Sequence, residues 1–407
     1  MRRRSFVRGL TVTTAATGLG LTAAGNGSAA APAPAAVPTA GSAGAAVPGG
    51  AVRARGAGWR EVPVPAGEPA ALLSAVAAAG PDLAWAVGEE ARDGSISGRP
   101  LARTWDGSAW RATDVSHLAF AGSIRSVAAT PLGTGDADGA VAAWAVGYDR
   151  AGGDHLLAWD GSTWREHDFP GVGQSGVELW AVAVAPDGTL RITGTRGDGS
   201  RVLRSENAAG TRWSWSPALP TADDSAPSLW NVHVDGAGDT WVSGGLVVAR
   251  YDDRSWDVLP GLFGLRLSVT DLLPTAPDDI WLTGHDYGAG GPPGKPPSVV
   301  LRHYDGAAWT DVEAPFTVGS LGAIAADAAG RPALIAGWDF WDGTSAHYLR
   351  WDGERWRSER GPAAAEGVTP LMSALAPIPG TAGFWSAGTT ATAPFPPAQA
   401  RIERYDA

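Results

Sequence analysis

The chain has no cysteine in its 407 residues. That excludes disulfides, thiolate metal sites and cysteine nucleophiles, so an exported form must rely on its core alone. Beyond the first 40 residues there is no apolar run of the roughly 18 residues that a membrane-spanning helix needs. Charge is scarce too: 18% of residues are charged and the net charge is −11, and removing the four arginines Arg2, Arg3, Arg4 and Arg8 with a leader takes it to −15. Such acidity repels phosphate backbones and anionic lipid, so nucleic acid and membrane surfaces are not expected as partners. No Gly-rich phosphate loop opens a helix, no serine sits on a nucleophile elbow, and no Asp-x-Gly-x-x-Trp box occurs. In place of these the chain has 56 Gly, 31 Pro and 20 Trp. Many turns and many aromatics with little charge indicate an all-β protein. The length by itself suggests two domains, unless repeats account for it.

The N-terminal stretch reads as targeting sequence. Arg3-Arg4-Ser5-Phe6-Val7-Arg8 resembles the twin-arginine motif, and a mild apolar run, Leu10 to Ala24, leads to small residues around Ala29–Ala31. A signal peptide over 1–31 is therefore expected, with export of an already folded protein and a secreted location. Residues 32–55 are an Ala/Pro/Gly-rich linker expected to be disordered, and 56–407 carry the fold. Leader and composition together resemble those of secreted actinobacterial proteins.

Glycines at 88, 147, 194, 244, 284, 337 and 388 recur at a mean spacing of 50 residues. Three residues before them stand Trp85, Trp144, Trp241, Trp281 and Trp385, with Arg191 and Leu334 in the other two copies. A later aromatic precedes a turn, as in Trp105-Asp106-Gly107, Trp159-Asp160-Gly161, Tyr251-Asp252-Asp253, Tyr304-Asp305-Gly306 and Trp351-Asp352-Gly353. The strand after that turn opens on Trp110, Trp164, Trp256, Trp309 or Trp356. An apolar alternation such as Leu179–Val184 precedes each glycine strand. Each unit is thus four short strands, and it occurs seven times. Asp accepts amide hydrogen bonds inside a tight turn and Gly takes positive φ there, while the flanking aromatics pair across the hairpin. Sixteen of the 20 Trp fall on repeat positions, so tryptophan serves mostly to pack blades.

The last copy stops at Arg404-Tyr405-Asp406-Ala407, before its fourth strand, and the missing piece, Gly56-Ala57-Gly58-Trp59-Arg60-Glu61-Val62-Pro63, lies at the other end of the chain. A solenoid has no use for such a split; a ring does, because the N-terminal strand completes the last blade and leaves no open edge. The expected fold is an all-β, seven-bladed β-propeller of four-stranded blades closed by residues 59–63, and a monomer. Gly244-Gly245, Tyr251-Asp252, Trp256 and Pro260 resemble the Kelch repeat, marked by a Gly pair, a Tyr and a Trp. Only the fourth copy has the Gly pair. The resemblance covers 56–407 and implies a propeller of the galactose-oxidase type. Kelch-type propellers serve as protein-binding scaffolds, sugar mutarotases and the core of galactose oxidase; the last needs a Cys cross-linked to Tyr, which this chain lacks.

In such blades the Asp-Gly hairpins share one face, and the loops after second strands and between blades share the other. The second face varies in sequence and is where a rigid ring is expected to bind. It carries Glu89, Glu90, Arg92 and Asp93; Tyr148, Asp149 and Arg150; Arg196 and Asp198; His285, Asp286 and Tyr287; and Trp338, Asp339, Phe340, Trp341 and Asp342. Between blades stand His117, Phe120, Asp223, Asp224 and Phe263. Aromatics beside carboxylates and Arg suit a carbohydrate or a protein ligand. The candidate ligand-binding set is Trp338, Trp341, Asp342, Tyr287, Tyr148, Asp149 and Arg196, with Trp338 and Trp341 foremost because they stand outside the repeat register. The more ordinary reading is a solvated loop with Trp tucked on the rim. The alternative function is an exported hydrolase, lyase or epimerase acting on a sugar or small secondary metabolite, with His285, Asp286 and Asp339 as acid/base groups. The seven His share no repeated position, so no ring of metal ligands is expected. No cofactor is implied, although the loop carboxylates could hold Ca²⁺. Gly288 to Ser298 is a flexible lid or a mere insertion.

Overall fold

The apolar alternation ahead of each repeat glycine becomes the first strand of a four-stranded antiparallel sheet, and the glycine ends the second. The computed structural model describes residues 58–92, 98–130, 141–197, 199–221, 226–261, 267–288, 296–392 and 399–407. The expected signal segment and linker lie outside the described residues, as do Asp93, Asp198, Asp223, Asp224, Phe263 and 289–295 of the Gly/Pro insertion. Among the described residues there is no helix, hence none able to span a membrane. Seven sheets occupy 72–112, 124–167, 177–215, 231–258, 267–311, 319–363 and 368–406, the last completed by Gly58–Glu61. The first strand of every blade touches the first strands of both neighbours, so these seven form the inner ring. The fold is a seven-bladed β-propeller.

The repeat glycine has a steric cause that the sequence does not display. Gly88, Gly194, Gly284 and Gly388 lie against a carbonyl oxygen of the first strand, and Gly244 against that of Ser228 just ahead of it, which occupies the space a Cβ would need. Gly147 and Gly337 are filled instead by the rings of Phe120 and Phe316. The close approach coincides with a β-bulge. In six blades the residue opposite the glycine (Leu73, Ile124, Leu179, Val269, Leu321 or Met372) is followed directly by a shift of register. In the fourth blade Leu229 lies against Gly244 while Asn231 pairs with Ser243, which leaves Trp230 as the extra residue. Glycine is the residue that lets a bulged backbone pass this close.

Three residues before the glycine, the second-strand Trp reaches forward into the next blade. Trp85 packs edge-on against Trp159 and Trp164 of blade two, Trp281 against Trp351 and Trp356 of blade six, and Trp385 against Trp105 and Trp110 of blade one. Where the third copy has Arg191 instead, the next blade has changed to match. Arg191 donates to Thr240 at 3.1 Å and lies 3.6 Å from Asp253, which fills the turn position that is Gly in other copies. Asp253 takes φ of 67° there and also pairs with Arg204 at 2.7 Å. Two departures from the repeat are thus one interaction. Leu334 makes the corresponding contact with Phe384 and Tyr405 of blade seven.

The turns behave as their composition requires. Asp106, Asp160, Asp252, Asp305 and Asp352 each accept two amides within their hairpin. In three of these blades the arginine after the fourth-strand Trp closes back on the same Asp: Arg111 on Asp106, Arg165 on Asp160 and Arg357 on Asp352. Blade seven rebuilds this bond from the two ends of the described chain, with Arg60 donating to Asp406 at 2.7 Å. Trp59 pairs with Tyr405 in the ladder, stacks on Tyr348 of blade six at 3.6 Å and meets the Tyr405 ring edge-on. Ring closure therefore joins hydrogen bonds, an ion pair and aromatic packing. Deleting residues 58–62 is expected to lower the melting temperature by more than 10 °C, and Trp59→Ala to cost about 3 kcal/mol. An unchanged thermal melt for the deletion would place closure elsewhere.

Candidate functional site

The two faces of the ring differ in what they leave exposed. On the hairpin face the turn carboxylates are consumed by amides and arginines. Among the described residues six large apolar side chains are exposed: Val172, Trp230, Leu246, Val258, Tyr287 and Trp341. All six lie in the between-blade loops, in the loops after second strands, or, for Val258, at the strand end that enters such a loop. None lies on the hairpin face.

At the inner edge of this face the bulge residues follow one another around the ring. Arg125 sits between two rings, 4.8 Å from the centre of Tyr148 and 4.6 Å from that of Trp180. Trp180 in turn meets Trp230 edge-on at 4.5 Å. Asp154 pairs with Arg125 at 2.7 Å and accepts the Leu179 amide. Arg125 Nε and Trp180 Nε1 are buried donors without a hydrogen-bond partner. On the other side of the ring the corresponding residues are small: Thr270 bonds to the carbonyls of Leu321 and Gly322, and Gly322 lies against Ser373. At blades two to four the inner ring is thus aromatic and cationic, and at blades five to seven it carries small residues. Trp180 and Trp230 are, with Trp338 and Trp341, the four tryptophans outside the repeat register. The same departure from register marks all four in the sequence, although only Trp338 and Trp341 stand out as candidates there.

Blade three forms a cavity of about 520 Å³ lined by Gln174, Ser175, Val177, Arg196, Gly197, Arg201, Trp215 and Ser216. Its volume falls within the roughly 300–1,000 Å³ usual for small-ligand sites. The Arg196 guanidinium lies 6.0 Å from the Trp215 ring centre, and Trp215 Nε1 donates to the Pro170 carbonyl.

The other residues singled out in the sequence fall into separate groups. In blade six Arg360 clasps the loop, donating to Asp339 at 3.1 Å and to the Asp342 carbonyl at 3.1 Å, and lying 3.2 Å from the Asp342 carboxylate. Asp339 also accepts the Trp341 amide, and Asp342 accepts from Thr344. This loop carries Trp338, Phe340 and Trp341 in a chain of edge contacts and leaves Trp341 76% exposed. In blade five His285 is buried, which pushes its pKa down against the pull of Asp286; its ring meets Tyr287 edge-on, and Asp286 accepts the Gly288 amide. No hydrogen bond, ion pair or ring contact joins His285 or Asp286 to Trp338 or Asp339. In blade one Glu89 is buried, which raises its pKa; it accepts the Gly98 amide and lies 3.5 Å from Arg92, while Glu90 pairs with Arg99. Among the described residues no three His, Asp or Glu converge as metal ligands.

The expectation that His residues share no position needs one correction. His155 lies opposite Gly147 and His347 opposite Gly337, so the two are equivalent. Each is stacked by a between-blade phenylalanine, Phe120 or Phe316, at 4.3 Å, and each faces the loop Asp of its blade, Asp149 at 3.9 Å or Asp339 at 3.7 Å. Unequal loop lengths hide the equivalence in the sequence. His347 donates to or accepts from Ser358 Oγ at 2.6 Å. Burial, aided by Arg360 and opposed by Asp339 and Asp342, lowers its pKa to about 4. The unfolded chain therefore binds a proton between the ordinary value of 6.5 and about 4 that the folded chain refuses. Stability from a neutral His347 is complete above pH 6.5 and is lost as the pH falls toward 4, by at most about 3 kcal/mol. His347→Gln is expected to flatten the melting temperature over this window. A variant whose melting temperature falls with pH as steeply as the parent's would show that His347 is not the group responsible.

No protein-family model matches the chain, and no curated protein matches it. Among solved structures it is similar to YCF48 bound to D1 peptide, with a TM-score of 0.52 and 13% identity over 87% of this chain and 97% of that one. It is similar also to the extracellular domain of BT4673 from B. thetaiotaomicron, with a TM-score of 0.50 and 12% identity over 85% of this chain and 39% of that one. The Aleuria aurantia lectin in complex with α-methyl-L-fucoside gives a TM-score of 0.41 and 14% identity over 72% of this chain and 96% of that one. At these identities the likeness is one of fold: the chain is a β-propeller.

Proposed function

We propose that this protein is a binding propeller that recognises a glycan or protein ligand through the face formed by the between-blade and second-to-third-strand loops. One observation carries the reading: all six exposed large apolar side chains among the described residues lie at that face. Exposed aromatics on anchored backbone supply contact area at little loss of conformational freedom, which is what a binding surface requires. Arg360 provides the anchoring for Trp341 through its bonds to Asp339 and Asp342. Those bonds also occupy the Asp339 carboxylate, which favours a binding role for the loop over an acid/base one. YCF48 lends only the fold; the ligand class rests on the residues of this face, and kinship with Kelch-type repeats is part of the proposal.

A glycan array and a pull-down from culture medium, each run with the parent chain and with Trp341→Ala and Trp230→Ala, test this. Loss of about 2 kcal/mol, some thirtyfold in affinity, is expected for the Trp341 variant. Its melting temperature is expected to stay within about 1 °C, because an exposed side chain contributes little to the fold. A ligand bound equally by the parent and both variants would sink the reading. We propose further that the chain is exported by a twin-arginine route, on the strength of Arg3-Arg4-Ser5-Phe6. Replacing Arg3 and Arg4 together by Lys is expected to hold the protein in the cell. Undiminished secretion of that variant would exclude the route.

A further inference from the structure

Arg201 lies opposite the repeat glycine Gly194 of blade three, and Arg401 lies opposite Gly388 of blade seven. The two arginines occupy one position of the repeat, so their surroundings correspond residue by residue. Arg401 is buried between two carboxylates, Glu403 at 2.7 Å and Glu61 at 2.9 Å. Glu61 and Glu403 are ladder partners in blade seven; the matching partners in blade three are Trp215 and Leu203. Arg201 has therefore kept its position and lost both carboxylates. It donates to the Ser216 carbonyl at 2.9 Å, and its buried Nε has no partner. Arg196 stands beside it in the same cavity. No ion pair with a described residue reaches either arginine.

Two guanidinium groups that no carboxylate of a described residue pairs, one with a buried and unsatisfied N–H, make a cavity that gains by accepting an anion. The planar fork of Arg matches a carboxylate in particular, and blade seven shows this position of the ring already taking carboxylates. We propose that the blade-three cavity is a carboxylate site and that its ligand is an acidic saccharide. The carboxylate lies between Arg201 and Arg196, the sugar ring lies along Trp215, and hydroxyls meet Gln174 and Ser175 at the rim. A peptide is less suited: the strand Gly199–Ser205 is paired on both sides, and the open edge at the cavity, Trp213–Trp215, is only 3 residues long, too short to hold an extended chain. The proposal rests on the reading that this face binds ligand, and it places a defined chemistry at a site separate from Trp341.

Calorimetric titration of the full chain with trigalacturonate and a hyaluronan tetrasaccharide, with their methyl esters, and with a capped tripeptide of glutamate tests it. At least one acid is expected to bind, its ester at least tenfold more weakly, and Arg196→Gln and Arg201→Met each at least tenfold more weakly. Affinity should fall with added salt. Trp215→Glu, which gives Arg201 the partner that Glu61 gives Arg401, should abolish binding while keeping the melting temperature at or above the parent's; that separates loss of the site from loss of the fold. The proposal is overturned if neither acid binds, if ester and acid bind alike, if both arginine variants retain full affinity, or if the glutamate peptide binds as tightly as the saccharides. Trp341→Ala distinguishes the two levels. Acid binding that survives it and fails in Arg201→Met places the ligand in the cavity; binding that fails in Trp341→Ala and survives both arginine changes keeps the face as a binding surface and removes the carboxylate site.

Discussion

In five of the seven blades a carbonyl oxygen of the inner strand, or of the segment leading into it, fills the space where the repeat glycine would carry a Cβ. The rest of the blade depends on this approach. It lets the first strand bulge against the second without breaking the sheet, and the bulge pushes one extra residue out of register at the inner edge. Seven bulges set seven such residues around the ring. The approach also fixes where the second-strand tryptophan falls, three residues back, so that its ring reaches the hairpin of the next blade. A side chain at Gly88 or Gly244 would have to displace backbone rather than a flexible neighbour, and the strain would pass to both strands.

The ring made this way separates two kinds of residue. Repeat positions hold the blades together by aromatic packing and by turn aspartates with their arginines. Departures from the repeat sort into two classes. Some are compensated inside the fold, as Arg191 is by Thr240 and by an Asp253 that stands where other copies have glycine. Others are not compensated in this way: Trp341 and Trp230 keep an exposed face, and Arg201 lacks the two carboxylates that its counterpart Arg401 holds. Uncompensated departures collect on one face, and that asymmetry is the physical basis of the functional reading.

Much of the architecture was legible in the residues. The aromatic-Asp-Gly turns counted the blades, and the split last turn gave the closure, because a hairpin divided between two chain ends has only one way to be completed. The site was legible in part. Trp338, Trp341 and the loop carboxylates could be placed on the right face from strand order alone. What could not be read was which carboxylates were free. Asp339 looked like an acid/base candidate beside His285; in the fold its charge is taken by Arg360, a residue 21 positions away on a different strand.

The sequence by itself determined the repeat, the strand count, the closure and the face on which variation is concentrated. These follow from local rules: turn chemistry, alternation and the spacing of large aromatics act over a few residues and survive in a one-dimensional record. Only the tertiary structure decided the rest. The equivalence of His155 with His347 and of Arg201 with Arg401 appears when strands are paired, because loops of unequal length shift the numbering between blades. The cluster of Arg125, Trp180 and Trp230 comes from three successive blades and exists only once the ring brings their inner strands side by side. Burial, charge pairing and the lack of it are properties of such neighbours across blades.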